Sequence, residues 1–256
     1  MFKRLLEKLS GSPKTPSAAR PKTAPGKPQA SPYQEAFFQH IREKSASDPL
    51  IGAKLGGKEV FQRVLTALRN EKGVHVETLL AVLGALAGYA CQARLRAEAF
   101  KNGKPESSVF QIVTTADGKT YYFGEPLNQL LVGPQYSVWA LAGGGAAHLG
   151  VTTFPDPHEL FKHVASTVGN AGFGIPRLPA GHGIAVKPLD ALKSLWPALF
   201  PTIKLFCPDP AHWPILYGLA AQEAIIASKD AIAPELAFAI VLESAIPMSK
   251  VDLVNA

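Results

Sequence analysis

Between Glu77 and Arg94 the chain runs through Thr78 to Ala93, 16 residues, without a single charge. Leu79-Leu80-Ala81-Val82-Leu83 is apolar in every direction a helix could present it, and a helix apolar all round has to be wrapped by other elements. As a helix the uncharged stretch spans about 24 Å, short of the ~30 Å hydrocarbon core of a bilayer, so the pattern predicts a buried central helix and not a transmembrane span. The helix is expected over about Val76 to Phe100, turning amphipathic at Arg94, Arg96 and Glu98. Ala81, Gly84, Ala85 and Gly88 give it small surfaces where neighbouring helices can come close.

The rest of the chain must supply the faces that cover this helix. With 256 residues, 47% of them hydrophobic, it has the material for a core of that kind. Tyr33, Phe37, Phe38 and Ile41 mark one amphipathic helix, and Val60, Phe61, Val64, Leu65 and Leu68 mark another after the Gly56-Gly57 break. Residues 33–101 therefore read as a three-helix unit round the central helix. Next, Val109 to Thr115 and Thr120 to Phe123 flank Asp117-Gly118, the strongest short hairpin signal a sequence offers. One hairpin is marginal alone, so this one must lie on the helices or gain a third strand.

The second half changes texture, with 14 of the 22 prolines falling between residues 126 and 256. Pro126, Pro134, Pro157, Pro188, Pro214 and Pro234 each open an apolar run, which suits the first helical turn and predicts a series of short helices. Asp156-Pro-His-Glu159 resembles a capping box. Residues Gly169 to Lys187 read as loop, with a strand candidate at Ile184 to Val186. Helices over about Pro214 to Ser228 and Pro234 to Ala245 belong to the core. The charge-free run from Pro126 to Pro155 holds Asn128, Gln129, Pro134, Gln135, His148 and Gly143-Gly144-Gly145, a poor composition for lipid.

The formal charge of +6 is sharply localised. Residues 1–32 carry Lys3, Arg4, Lys8, Lys14, Arg20, Lys22 and Lys27 against Glu7 alone, leaving 19 basic and 19 acidic residues beyond them. Phe2, Leu5, Leu6 and Leu9 share one face of a predicted short helix over 1–9, with Lys3, Arg4 and Lys8 on the other. Residues 10–32 hold six prolines and no aliphatic side chain larger than Ala, the composition of a disordered linker. Lysines spaced singly without aromatics do not support specific nucleic-acid recognition. Charge interrupts the start at once, against a secretory signal, so the setting expected is cytoplasmic, extending to peripheral membrane attachment.

Candidates for chemistry are few. Cys91 and Cys207 cannot build a disulfide framework or a zinc knuckle. His158 and His163 are five residues apart, about 140° round a helix, which defeats a metalloprotease reading. Gly143-Gly144-Gly145 and Gly169-x-x-Gly172-x-Gly174 lack the strand, helix and Lys of a phosphate cradle. Cys91 with His182 is a cysteine-hydrolase pairing of nucleophile and base, although Cys91 sits deep in an apolar helix without the dipole that activates a thiol. Glu223, Glu243 and His148 are polar groups in apolar helices that would form a proton-transfer or metal site if they converged. Tyr121, Tyr122, Glu125, Tyr136 and Trp139 could wall a pocket.

The sequence thus predicts a mainly α-helical domain over 33–256 with one small hairpin, or two units split near 102–126. No metal or cofactor is implied, and the balance leans away from an enzyme. The leading expectation is a non-catalytic binding or adaptor module that docks through residues 1–9 on a protein partner or an anionic membrane. The alternatives are a small-molecule or cysteine-type hydrolase using the groups above, and a bacterial effector or phage-borne protein with an N-terminal delivery signal.

Overall fold

The computed structural model of the chain describes residues 32–133 and 135–253. The predicted helix over 1–9, the linker up to Ser31, and Pro134 as a helix opener lie outside the described residues. Within them the fold is mainly α-helical with one two-stranded hairpin. The helices are α1 (Pro32–Lys44), α2 (Ile51–Leu68), α3 (Val76–Lys101), α4 (Glu125–Val132), α5 (Val138–His148), α6 (Pro157–Thr167), α7 (Pro188–Phe206), α8 (Trp213–Ala227) and α9 (Pro234–Met248), with single 3-10 turns at Glu106–Ser108 and Pro210–His212.

Helix α3 is the spine. Its residues from Thr78 to Gln92 are all buried, and one continuous hydrophobic core runs from Ala53 to Val251, drawing on elements either side of 102–126. Among the described residues it is the one helix long and apolar enough to cross a membrane, and 83% of its apolar window is buried inside the protein. What covers it corrects the expected three-helix unit. The main neighbours of α3 are α8 and α9, far away in sequence, while α2 lies chiefly on α8. The reason is backbone proximity: Gly84 sits against the Val241 carbonyl and Gly88 against the Ala245 carbonyl, leaving no room for a side chain at either position. Because 84 to 88 and 241 to 245 advance together, α3 and α9 run parallel. A second close crossing joins α2 to α8, where a side chain on Gly57 would meet the Leu216 carbonyl at 2.9 Å.

Five of the six prolines placed at helix starts, at 126, 157, 188, 214 and 234, do stand in first turns. Asp156 caps α6 by accepting from the His158 backbone N–H at 2.9 Å. Proline does not cut every helix, however. Pro197 and Pro201 lie inside α7 and Pro247 inside α9; Pro197 and Pro201 are on the exposed side, where water can serve the carbonyls they leave unpaired.

The hairpin forms where Asp117-Gly118 predicts it. The Gly118 N–H closes a turn on the Thr115 carbonyl at 2.9 Å, and Gly118 takes a left-handed φ of 81° that only glycine adopts readily. Strands β1 (Gln111–Thr114) and β2 (Thr120–Phe123) pair antiparallel with Val113 opposite Tyr121. The third partner comes from the end of the chain: Tyr122 N–H donates to the Lys250 carbonyl at 2.8 Å, and Tyr121 bridges to Val251. Ile184 to Val186 forms no strand. That segment belongs to an irregular strap, residues 168–187, laid along α9 and α3.

Candidate functional site

The polar groups of this fold gather at the two ends of α3. At its N-terminal end, Glu77 lies between two imidazoles. Its Oε1 is 2.9 Å from His182 Nδ1 and its Oε2 3.4 Å from His75 Nδ1. Burial pushes the Glu77 carboxyl up, but the His182 hydrogen bond, its own backbone N–H and the charges of His75 and His182 together hold it below its usual value. Beside it Thr78 Oγ1 accepts from the Ala185 N–H at 2.8 Å. These contacts fasten one end of the strap to the spine. Its middle is fastened to α9, where Arg177 N–H donates to Glu243 Oε2 and its guanidinium reaches Glu243 Oε1, both at 2.6 Å.

At the C-terminal end Gln92 and Lys250 are buried, with Arg96 and Glu106 half-buried beside them. Gln92 is fully enclosed and its Nε2 donates to the carbonyls of Ser249 (2.9 Å) and Val251 (3.0 Å), pinning the strand that completes the hairpin. Lys250, 2% exposed, donates to Asn128 Oδ1 at 3.0 Å and lies 5.6 and 5.5 Å from the ring centres of Phe123 and Phe161. Burial pulls its amine down to about 8. Arg96 stacks over Tyr122, 4.2 Å from the ring centre, and pairs with Glu106 at 3.2 Å. Among the described residues four buried polar atoms, Gln92 Oε1, Arg96 Nε, Tyr217 Oη and Ser244 Oγ, have no hydrogen-bond partner, Arg96 Nε having only its ion pair with Glu106.

The predicted catalytic pair is not assembled. His182 touches Glu77, and Cys91 lies 14 residues further along the same helix, about 21 Å away at 1.5 Å per residue. Cys91 is fully buried with its thiol donating to the Ala87 carbonyl, and burial pushes it up to about 12; Cys207 is also pushed up to about 12. Neither thiol is poised to ionise. Glu243 is engaged by Arg177, and His148 and Glu223 stand exposed on neighbouring helices with no hydrogen bond or ion pair joining any two of the three. Among the described residues no group of three His, Cys, Asp or Glu side chains is placed to hold a metal ion.

The aromatic set also disperses. Tyr121 packs on Phe173, Tyr122 on Phe110, and Trp139 on Phe154 and Phe238, while Tyr136 is exposed. Gly145 serves helix packing against Gln222, and Gly169 and Gly174 take left-handed turns in the strap. Sequence reasoning missed Lys250 and Gln92. Gln92 did carry a signal, as the one long polar side chain in the uncharged stretch; Lys250 looks like any lysine that ends a helix. A shallow depression of about 310 Å³ lies between the hairpin and α6, lined by Gln111, Val113, Phe123, Ala165 and Val168. The chain matches no protein-family model, no curated protein and no solved structure.

Proposed function

We propose that the protein is a non-catalytic binding or adaptor module whose basic N-terminal segment docks on an anionic membrane surface or a protein partner. The observation that carries this reading is the charge partition. Residues 1–32 hold the entire net charge of +6, and an amphipathic pattern of Phe2, Leu5, Leu6 and Leu9 backed by Lys3, Arg4 and Lys8 stands at its start. Such a segment gains affinity from apolar burial and from attraction to anionic headgroups together. The body supports the reading by what its polar groups already do. Glu243, His182 and Gln92 hold backbone and loops, and both thiols stay protonated.

The test is flotation with vesicles containing phosphatidylserine, run beside a pull-down. The full chain is compared with a Leu5→Glu/Leu6→Glu variant and with a chain beginning at Pro32. Binding by the full chain alone, falling as salt rises, is expected. Equal binding by all three would place recognition in the body and overturn the proposal.

A further inference from the structure

Among the described residues nothing covers the outer face of α7. The helix buries Leu192, Leu195, Leu199 and Ile203 and packs on α3, α2, α9 and α1, while Pro197, Pro201 and Leu205 recur every four residues on its other side. All three are exposed, Leu205 at 56%. The stripe is apolar where a surface helix ordinarily carries charge. Phe37 extends it, because α1 rests on the end of α7 with the Phe37 and Phe38 rings 6.2 and 5.2 Å from that of Phe206, and Phe37 stays 38% exposed. The stripe also holds a backbone acceptor: Pro201 has no N–H to give the Pro197 carbonyl four residues back.

We infer that this stripe is the resting seat of residues 1–9 of the same chain, which must leave it to dock elsewhere. The inference rests on the docking role given to residues 1–9 and adds its regulation. The tether selects this occupant. Residues 10–31, 22 in all, end at Pro32 where α1 begins, and Phe37 lies about 7.5 Å further along that helix. A flexible chain of that length has an r.m.s. span on the order of 26 Å, which holds segment and stripe at an effective concentration of about 1 mM. The dimensions agree: Phe2 to Leu9 as a helix is about 10 Å long and Pro197 to Leu205 about 12 Å. The rows Phe2–Leu6 and Leu5–Leu9 have the same four-residue spacing as Pro197–Pro201–Leu205, so ridge can meet ridge in the commonest helix packing. Lys3 and Lys8, at the margins of the apolar face, bring N–H donors of the kind the Pro197 carbonyl lacks. Phe2, Leu5, Leu6 and Leu9 cannot be buried on α7 and in a second surface at once, so the seat holds back docking until that surface outcompetes it.

Disulfide capture in the full chain tests it. On mild oxidation in dilute solution, Leu6→Cys/Leu205→Cys should close within one chain at least about tenfold faster than Leu6→Cys/Lys229→Cys. Lys229 is the control because it is exposed beyond the far end of α8, whose first residue, Trp213, packs on Phe200 of α7. Cys91 and Cys207 stay silent, since burial pushes both thiols up to about 12. A second measurement is flotation with phosphatidylserine vesicles, where Leu205→Glu should bind about threefold or more better than the parent because the seat no longer competes. Equal capture at 205 and 229, or a disulfide that joins two copies, overturns the inference even where residues 1–9 bind vesicles. So does a Leu205→Glu chain that binds vesicles no better than a parent that binds them. Selective capture at 205 in a chain that binds neither vesicles nor a partner upholds the seat and overturns the docking role instead.

Discussion

The two ends of α3 are held by opposite means. At the N-terminal end Glu77 meets His75 and His182 at the surface, and the strap is fastened by groups that water can reach. At the C-terminal end Gln92 and Lys250 act inside the protein, one on two carbonyls and the other on Asn128 and two rings. Exposed ion pairs contribute little because solvent screens them. Buried polar groups cost much when unmade, so they fix structure far more strongly. The same helix thus has a replaceable end and an end that cannot be altered without loss, and between them lies the tight crossing on α9.

The largest effect is expected midway between the ends. Gly88→Leu would drive a side chain into the Ala245 carbonyl and should abolish the cooperative thermal transition seen by circular dichroism. A folded variant with a normal melting temperature would mean that α3 and α9 are further apart than described. At the buried end, Gln92→Leu strips the Ser249 and Val251 carbonyls of their donor and should cost roughly 2–6 kcal/mol in urea denaturation, at about 1–3 kcal/mol for each buried group left unsatisfied. A change below ~0.5 kcal/mol, within the range of surface substitutions, would erase the difference between the ends.

At the solvated end the effect should be smallest. Glu77→Gln removes a partly exposed carboxylate, so its cost should stay below about 1 kcal/mol after screening. The sign with pH is fixed by the lowered Glu77 carboxyl. Its contribution is present above the usual carboxylate value and is lost as pH falls through the folded one, so the variant should lose less stability on acidification than the parent. Hydrogen exchange should show faster opening at Ala185 and little change at Val251.

These contrasts also explain what could be read from the residues alone. The spine was legible because no other arrangement buries Leu79 to Leu83, and the hairpin because Asp117-Gly118 specifies a turn locally. The spine's partners were not. Helices near in sequence were the natural assumption, but Gly84 and Gly88 select neighbours by backbone approach, which periodicity does not encode. Ile184 to Val186 reads as a strand from composition, yet the Ala185 N–H is taken by the Thr78 hydroxyl instead of a neighbouring strand. Of the singled-out polar residues, His182 and Glu243 do take part in specific contacts, but their partners, Glu77 and Arg177, lie 105 and 66 residues away. Long-range pairing of that kind leaves no trace in spacing.

The polar groups of the body serve its architecture, and Lys250 tests this most directly. Its folded amine titrates near 8 against an ordinary value of 10.5. Below pH 8 both folded and unfolded chains carry the proton, and the fold bears a penalty on the order of 3 kcal/mol, at 1.36 kcal/mol per pKa unit. Between 8 and 10.5 the unfolded chain holds more protons, so this group's contribution to stability rises with pH. The buried thiols act oppositely, since unfolded cysteine ionises near 9 while Cys91 and Cys207 stay protonated to about 12, so the informative quantity is the difference between parent and variant. Urea denaturation of the parent and Lys250→Met from pH 7 to 10 should show the parent gaining stability relative to the variant as pH rises. A difference between the two that does not change with pH would contradict the account.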